Sequence, residues 1–156
     1  MPSPTAIRFG ALLSENIGQL VHFVELLKRE QELLVEGKAE ELISLAEDKT
    51  AAVRLLQSGE NTRTLVLARD GVNTSAQGIE AFVGSESLAL QNAWARYLDL
   101  AKEADELNRL NGKLIRQQMQ TNQQALAILL SASEIPLYGA DGQTTTKPPG
   151  RLFDSV

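Results

Sequence analysis

Apolar residues recur along this chain at spacings of three and four, the period of a helix face. The first stripe runs through Ile7, Leu12, Leu13, Ile17, Leu20, Val21, Val24 and Leu27. Ser3 suits an N-cap, and Pro4 suits the first helical position because the missing N–H would be unbonded there anyway. Gly37 tolerates the left-handed conformation that closes a helix. These signals predict helix 1 over about 4–36. A second stripe, Leu42, Leu45, Ala46, Val53 and Leu56, continues to Leu65 and Val66 and stops at Asp70-Gly71, which predicts helix 2 over about 39–70. Ser58-Gly59 is a soft point where that helix can kink. Residues 72–84 are rich in Gly, Ser, Thr and Asn and read as a linker, with room for one short turn at Ile79–Val83.

The third helix is predicted over about 85–133. Leu90, Trp94, Tyr97, Ala101 and Ala104 alternate spacings of four and three, a heptad seam. A helix of about 47 residues reaches about 70 Å, against about 50 Å for helices of about 33 residues, so the third is expected to overhang the first two. Its centre carries poor helix formers: Asn108, Asn111 and Gly112 together cost on the order of 2 kcal/mol against alanine. Pro136 is expected to end it. Beyond it, 137–156 is rich in Gly, Pro and Thr and reads as a flexible tail. The predicted fold is all-α: an elongated antiparallel three-helix bundle or coiled coil, spanning 1–136, with a long third helix and a C-terminal tail.

Composition narrows the function. Only 4% of residues are aromatic while leucine and alanine dominate, which suits thin helix-on-helix packing rather than a wide ligand pocket. The net charge of −5 argues against nucleic acid as the main partner, since phosphate binding needs a basic footprint. No apolar run is long enough to span a bilayer, and the N-terminus lacks the pattern of a secretory signal. With no cysteine, thiolate chemistry and disulfides are excluded. The one histidine, His22, lies between Val21 and Phe23 and reads as a helix-surface residue. One histidine cannot build a di-iron bundle, and no phosphate-binding glycine loop or zinc ligand set occurs. The expectation is a protein with no catalytic residue, metal or cofactor, which acts through its surfaces.

Three segments could carry binding. In the first, Leu107, Leu110, Leu114 and Ile115 make an apolar face flanked by Asn108 and Asn111, and Gly112 admits a close backbone. This is either an internal contact whose asparagines fix register or a groove for a partner helix. In the second, amides from Gln117 to Gln124 surround Met119, with Leu126, Ile128, Leu129 and Leu130 beyond. This is either a solvated extension or an exposed apolar binding strip. In the third, Tyr138 stands before the turn residues Gly139, Asp141 and Gly142, and can staple the helix end or anchor in a partner's pocket.

These features in this order resemble the FlgN family of flagellar export chaperones. The resemblance rests on Leu26-Leu27-Lys28-Arg29-Glu30-Gln31-Glu32-Leu33-Leu34, on Leu42 to Lys49, on Trp94, on Leu107-Asn108-Arg109-Leu110-Asn111-Gly112, and on Leu137-Tyr138-Gly139-Ala140-Asp141-Gly142. It implies a cytoplasmic protein that binds the C-terminal helical segments of hook–filament junction proteins, hook-associated proteins 1 and 3. Such a chaperone prevents their premature assembly and delivers them to the type III export gate. The family's tail tyrosine, implicated in docking to the gate's cytoplasmic ring, corresponds to Tyr138. The client surface is expected across Leu107, Asn108, Leu110, Asn111, Gly112, Leu114, Ile115, Met119, Leu126 and Leu130, and the gate contact at Tyr138, Gly139, Asp141 and Gly142. A self-assembling coiled-coil scaffold without a client is the alternative, and a homo-oligomer fits both readings.

Overall fold

The computed structural model describes the backbone of residues 1–141 and the side chains of residues 1–131. Four helices follow one another: α1 (Pro4–Glu36), α2 (Ala39–Arg69), α3 (Ala76–Gly84) and α4 (Leu88–Asp141). The chain divides into two compact units, Met1–Asn111 and Gly112–Val156, with the boundary inside α4.

The ends of the first helices follow from their residues. The Ser3 hydroxyl accepts from the Ala6 N–H at 3.1 Å and donates to Glu86 Oε1 at 2.8 Å, so one side chain caps α1 and ties it to the segment before α4. Gly37 takes φ 71° and its N–H returns to the carbonyls of the last turn, ending α1 and turning the chain back into α2. At the other end Gly71 takes φ 79°. There Asp70 accepts from Thr5 at 2.8 Å and from Arg8, clamping the start of α1 to the end of α2. The Arg8 and Thr5 donors hold the Asp70 carboxyl below the usual carboxylate range.

Within Met1–Asn111 the helical stripes meet in two clusters. In the first, Phe9, Leu13, Leu67, Val83 and Leu90 are buried, with Phe82, Trp94 and Tyr97 against them. Phe9 meets Phe82 edge-on at 5.7 Å and Trp94 stacks on Tyr97 at 5.4 Å, so these four aromatic residues gather around the short helix. In the second, Leu20, Phe23, Val24, Leu27, Ala52 and Ala104 are buried, and Leu107 packs against them. Each fully buried Leu or Phe contributes roughly 1.5–3 kcal/mol relative to exposure. The start of α1 meets the start of α4 at Ser3–Glu86, and Leu27 meets Asn111. These two helices therefore run parallel, and α2, whose end is clamped back to the start of α1, runs antiparallel to them.

Three sequence expectations change. The linker holds a nine-residue helix, α3, rather than a single turn. Ser75 caps it by accepting from the Gly78 N–H at 3.1 Å. α2 runs unbroken through Gly59. A Cβ there would stand 2.1 Å from Asn16 Nδ2, so the glycine serves a close approach of α1 and α2 rather than a kink. Finally, α4 does not stop before Pro136 but continues to Asp141. Proline removes one backbone donor and one ladder bond, which weakens a helix without obliging it to end. Residues 137–141, expected in the tail, thus belong to α4, and the rest of the expected tail, from 142 on, lies outside the described residues.

Candidate functional site

Asn111 is the last residue of the first unit and is fully buried. Its Nδ2 donates to the Leu27 carbonyl at 2.8 Å and to Glu30 Oε1 at 2.9 Å. The same carboxylate receives Lys49 Nζ at 3.2 and 3.3 Å, and Lys49 also donates to Asn108 Oδ1 at 2.8 Å. One network thus joins α1, α2 and α4 at a single level. Because each buried donor has its acceptor at one register only, sliding α4 along α1 would strand a carboxylate.

Of the two readings the sequence left open for this segment, Asn111 fits the internal contact: it is fully buried and holds register inside the bundle. Leu107, half-buried on the second cluster, is likewise mainly core. Asn108 is exposed but engaged by Lys49. Leu110 is exposed.

The second unit differs in kind. No residue from Gly112 to Ser131 is buried. Gly112, Leu114 and Leu130 are half-buried, whereas Ile115, Met119, Leu126, Ile128 and Leu129 are exposed. Met119 stands at 56% exposure, Leu126 at 51% and Leu129 at 66%, values that set them apart from every core leucine of the first unit. Ile115, Met119, Asn122, Leu126 and Leu129 recur at four, three, four and three, a heptad seam that the sequence reading did not single out. Its Asn122, set among leucine-type positions, is the residue type that fixes pairing in coiled coils.

Tyr138, Gly139 and Asp141 lie in the helical backbone of α4, where a turn had been expected, and Gly142 falls outside the described residues. His22 is exposed on α1. Among the described residues no group of three or more His, Asp or Glu is placed to hold a metal ion. No helix there is long and apolar enough to cross a membrane.

The FlgN protein family matches residues 1–146. The chain is 32% identical over 136 residues to the flagella synthesis protein FlgN of Yersinia enterocolitica, covering 83% of this chain and 87% of that protein. It is 29% identical over 133 residues to the protein of the same name from Proteus mirabilis, covering 84% and 86%. The Escherichia coli (strain K12) protein of that name is 35% identical over 66 residues, covering 42% and 48%. No solved structure matches the chain. A match across nearly the whole length, with relatives of the same span, establishes that the chain belongs to the FlgN family of flagella synthesis proteins.

Proposed function

We propose that this protein is a non-enzymatic flagellar type III export chaperone of the cytoplasm. It binds the C-terminal helical segments of the hook–filament junction proteins, hook-associated proteins 1 and 3, and holds them apart until export. The observation that carries this reading is the exposed seam of Ile115, Met119, Leu126 and Leu129 on a helix with no buried residue between Gly112 and Ser131. Contiguous exposed apolar surface marks an interaction site, and a four–three spacing suits an amphipathic helix as the guest. Gln117, Gln118, Gln120, Gln123 and Gln124 dilute the apolar surface around the seam. Amides add adaptable hydrogen bonds and little hydrophobic energy, so binding stays reversible, as delivery requires. Delivery to the cytoplasmic ring of the export gate is assigned to the segment around Tyr138, Gly139, Asp141 and Gly142, with the tyrosine ring as anchor.

The seam also suits a second copy of the chain, since Asn122 is the kind of residue that pins coiled-coil pairing. The two readings separate in one experiment. Ile115→Asp with Leu126→Asp places two charges on exposed positions and should leave folding intact. Co-purification of junction-protein C-terminal segments should fall at least about tenfold, the loss of roughly one well-buried leucine contact at the interface. Undiminished co-purification refutes the client surface. A tight dimer of the unchanged protein that ignores added client segment favours the scaffold instead.

A further inference from the structure

Asn122 interrupts the apolar seam. It stands between Met119 and Leu126 in the four–three pattern of Ile115, Met119, Asn122, Leu126 and Leu129, and it is exposed with them. A polar residue at such a position weakens any contact that is apolar throughout. Covering its amide without a hydrogen bond costs about as much as burying a neighbouring leucine gains. The amide therefore needs a counterpart in whatever covers the seam. Asn111 shows what that counterpart is on this helix. Asn122 follows it by eleven residues, about three turns, so the two asparagines lie on one stripe of α4. Asn111 is fully buried, and its Nδ2 donates to the Leu27 carbonyl and to Glu30 Oε1. The helix laid against it, α1, supplies both acceptors, one of them a side chain.

The surroundings of Asn122 decide which side chain can take the place of Glu30. The Glu30 carboxylate is itself held by Lys49, so the charge beside Asn111 is paired. From Gln118 to Leu126 the chain carries no charged residue. A carboxylate laid on Asn122 would lose its water without gaining a cation. A carboxamide has no charge to desolvate, and it can accept from Nδ2 of Asn122 while donating to Oδ1. A guest with an unbroken apolar stripe offers no side-chain acceptor, only backbone carbonyls already bonded within its own helix. We propose that Asn122 sets the specificity of the seam: it admits an amphipathic helix whose apolar stripe carries one asparagine or glutamine facing it, and disfavours helices that are apolar throughout. The paired amides also fix the register of the guest, as polar residues in coiled-coil seams do. This inference rests on the seam being the client surface, and the experiment below separates the two.

The probe is the C-terminal segment of hook-associated protein 1, titrated against the full chain by calorimetry. Concentrations are chosen at which sedimentation gives the unaltered chain and its Asn122→Leu variant the same mass. Asn122→Leu adds apolar area at an exposed position and favours the helix, so folding should stay intact. Affinity for the unaltered segment should nonetheless fall about tenfold or more, because the guest's amide then faces leucine with no partner. A merely structural role for Asn122 predicts no such loss. Next, the asparagines and glutamines of the segment are replaced by leucine one at a time. One of these segments should bind Asn122→Leu at least about tenfold more tightly than it binds the unaltered chain. Equal or tighter binding of the unaltered segment by Asn122→Leu overturns the proposal, as does the lack of any rescuing segment. If Ile115→Asp with Leu126→Asp abolishes binding while Asn122→Leu does not weaken it, the client surface stands and the specificity assignment alone is wrong. If that pair leaves binding unchanged, the client surface fails and this proposal with it. An effect of Asn122→Leu confined to self-association also overturns it, since the counterpart then lies in a second copy of the chain.

Discussion

Asn111 concentrates more structural specificity than any apolar residue around it. Its amide serves the Leu27 carbonyl and the Glu30 carboxylate together, in full burial. Replacing it with aspartate keeps the shape and reverses the chemistry: the Leu27 carbonyl and the Glu30 carboxylate would then face a carboxylate oxygen where the amide had given them a donor. Asn111→Asp should therefore lose on the order of 3 kcal/mol of stability, the cost typical of an uncompensated buried charge. Urea unfolding at neutral pH measures this, and a loss under about 1 kcal/mol, the range of an ordinary hydrogen bond, would show that the network does not bear on stability. The sequence marked Asn108 and Asn111 as exceptional but left open whether they face inward or outward. Nothing in the spacing could decide it, because Glu30 lies 81 positions away and looks like any acidic residue on a helix surface. Arg63 was passed over for the same reason: an arginine set between Thr62 and Thr64 gives no sign that it lies against two aromatic rings.

At the scale of elements, caps were the legible part. Ser3, Pro4 and Gly37 fixed α1 as expected because each acts through its own backbone or its nearest neighbours. α3 was not legible. Ile79, Phe82 and Val83 carry a helical spacing, but glycines at 78 and 84 obscured it. The structure explains the first of these: a Cβ on Gly78 would meet the Asn73 carbonyl oxygen at 2.2 Å. That oxygen is backbone and cannot step aside without moving the turn, in which Asn73 Oδ1 accepts from the Ser75 N–H at 2.9 Å. Gly78→Ala should accordingly displace α3 rather than stabilise it, at a cost of roughly 1–3 kcal/mol. Trp94, whose Nε1 donates to Glu80 at 3.0 Å, would become more exposed and its emission should shift to the red. An alanine variant with unchanged emission and equal or higher stability would contradict this account of the turn.

For the whole molecule, low aromatic content and the heptad pattern sufficed to indicate helices packed on helices. What they did not reveal is where along α4 the inside gives way to the outside. Leu107 and Leu110 are the same residue type three positions apart, yet one packs on the second cluster and the other is exposed. The division falls at Asn111/Gly112: before it α4 buries Leu90, Ala104 and Asn111, and after it no residue up to Ser131 is buried. The proposed function gives those exposed residues a guest. The most direct test is hydrogen–deuterium exchange of the intact protein with and without the C-terminal segment of a junction protein. Backbone amides from Gly112 to Ser131 should gain protection on addition of the segment, while those of α1 and α2 change little. Protection gained only within Met1–Asn111, or nowhere, would contradict the assignment of the exposed seam as the client surface.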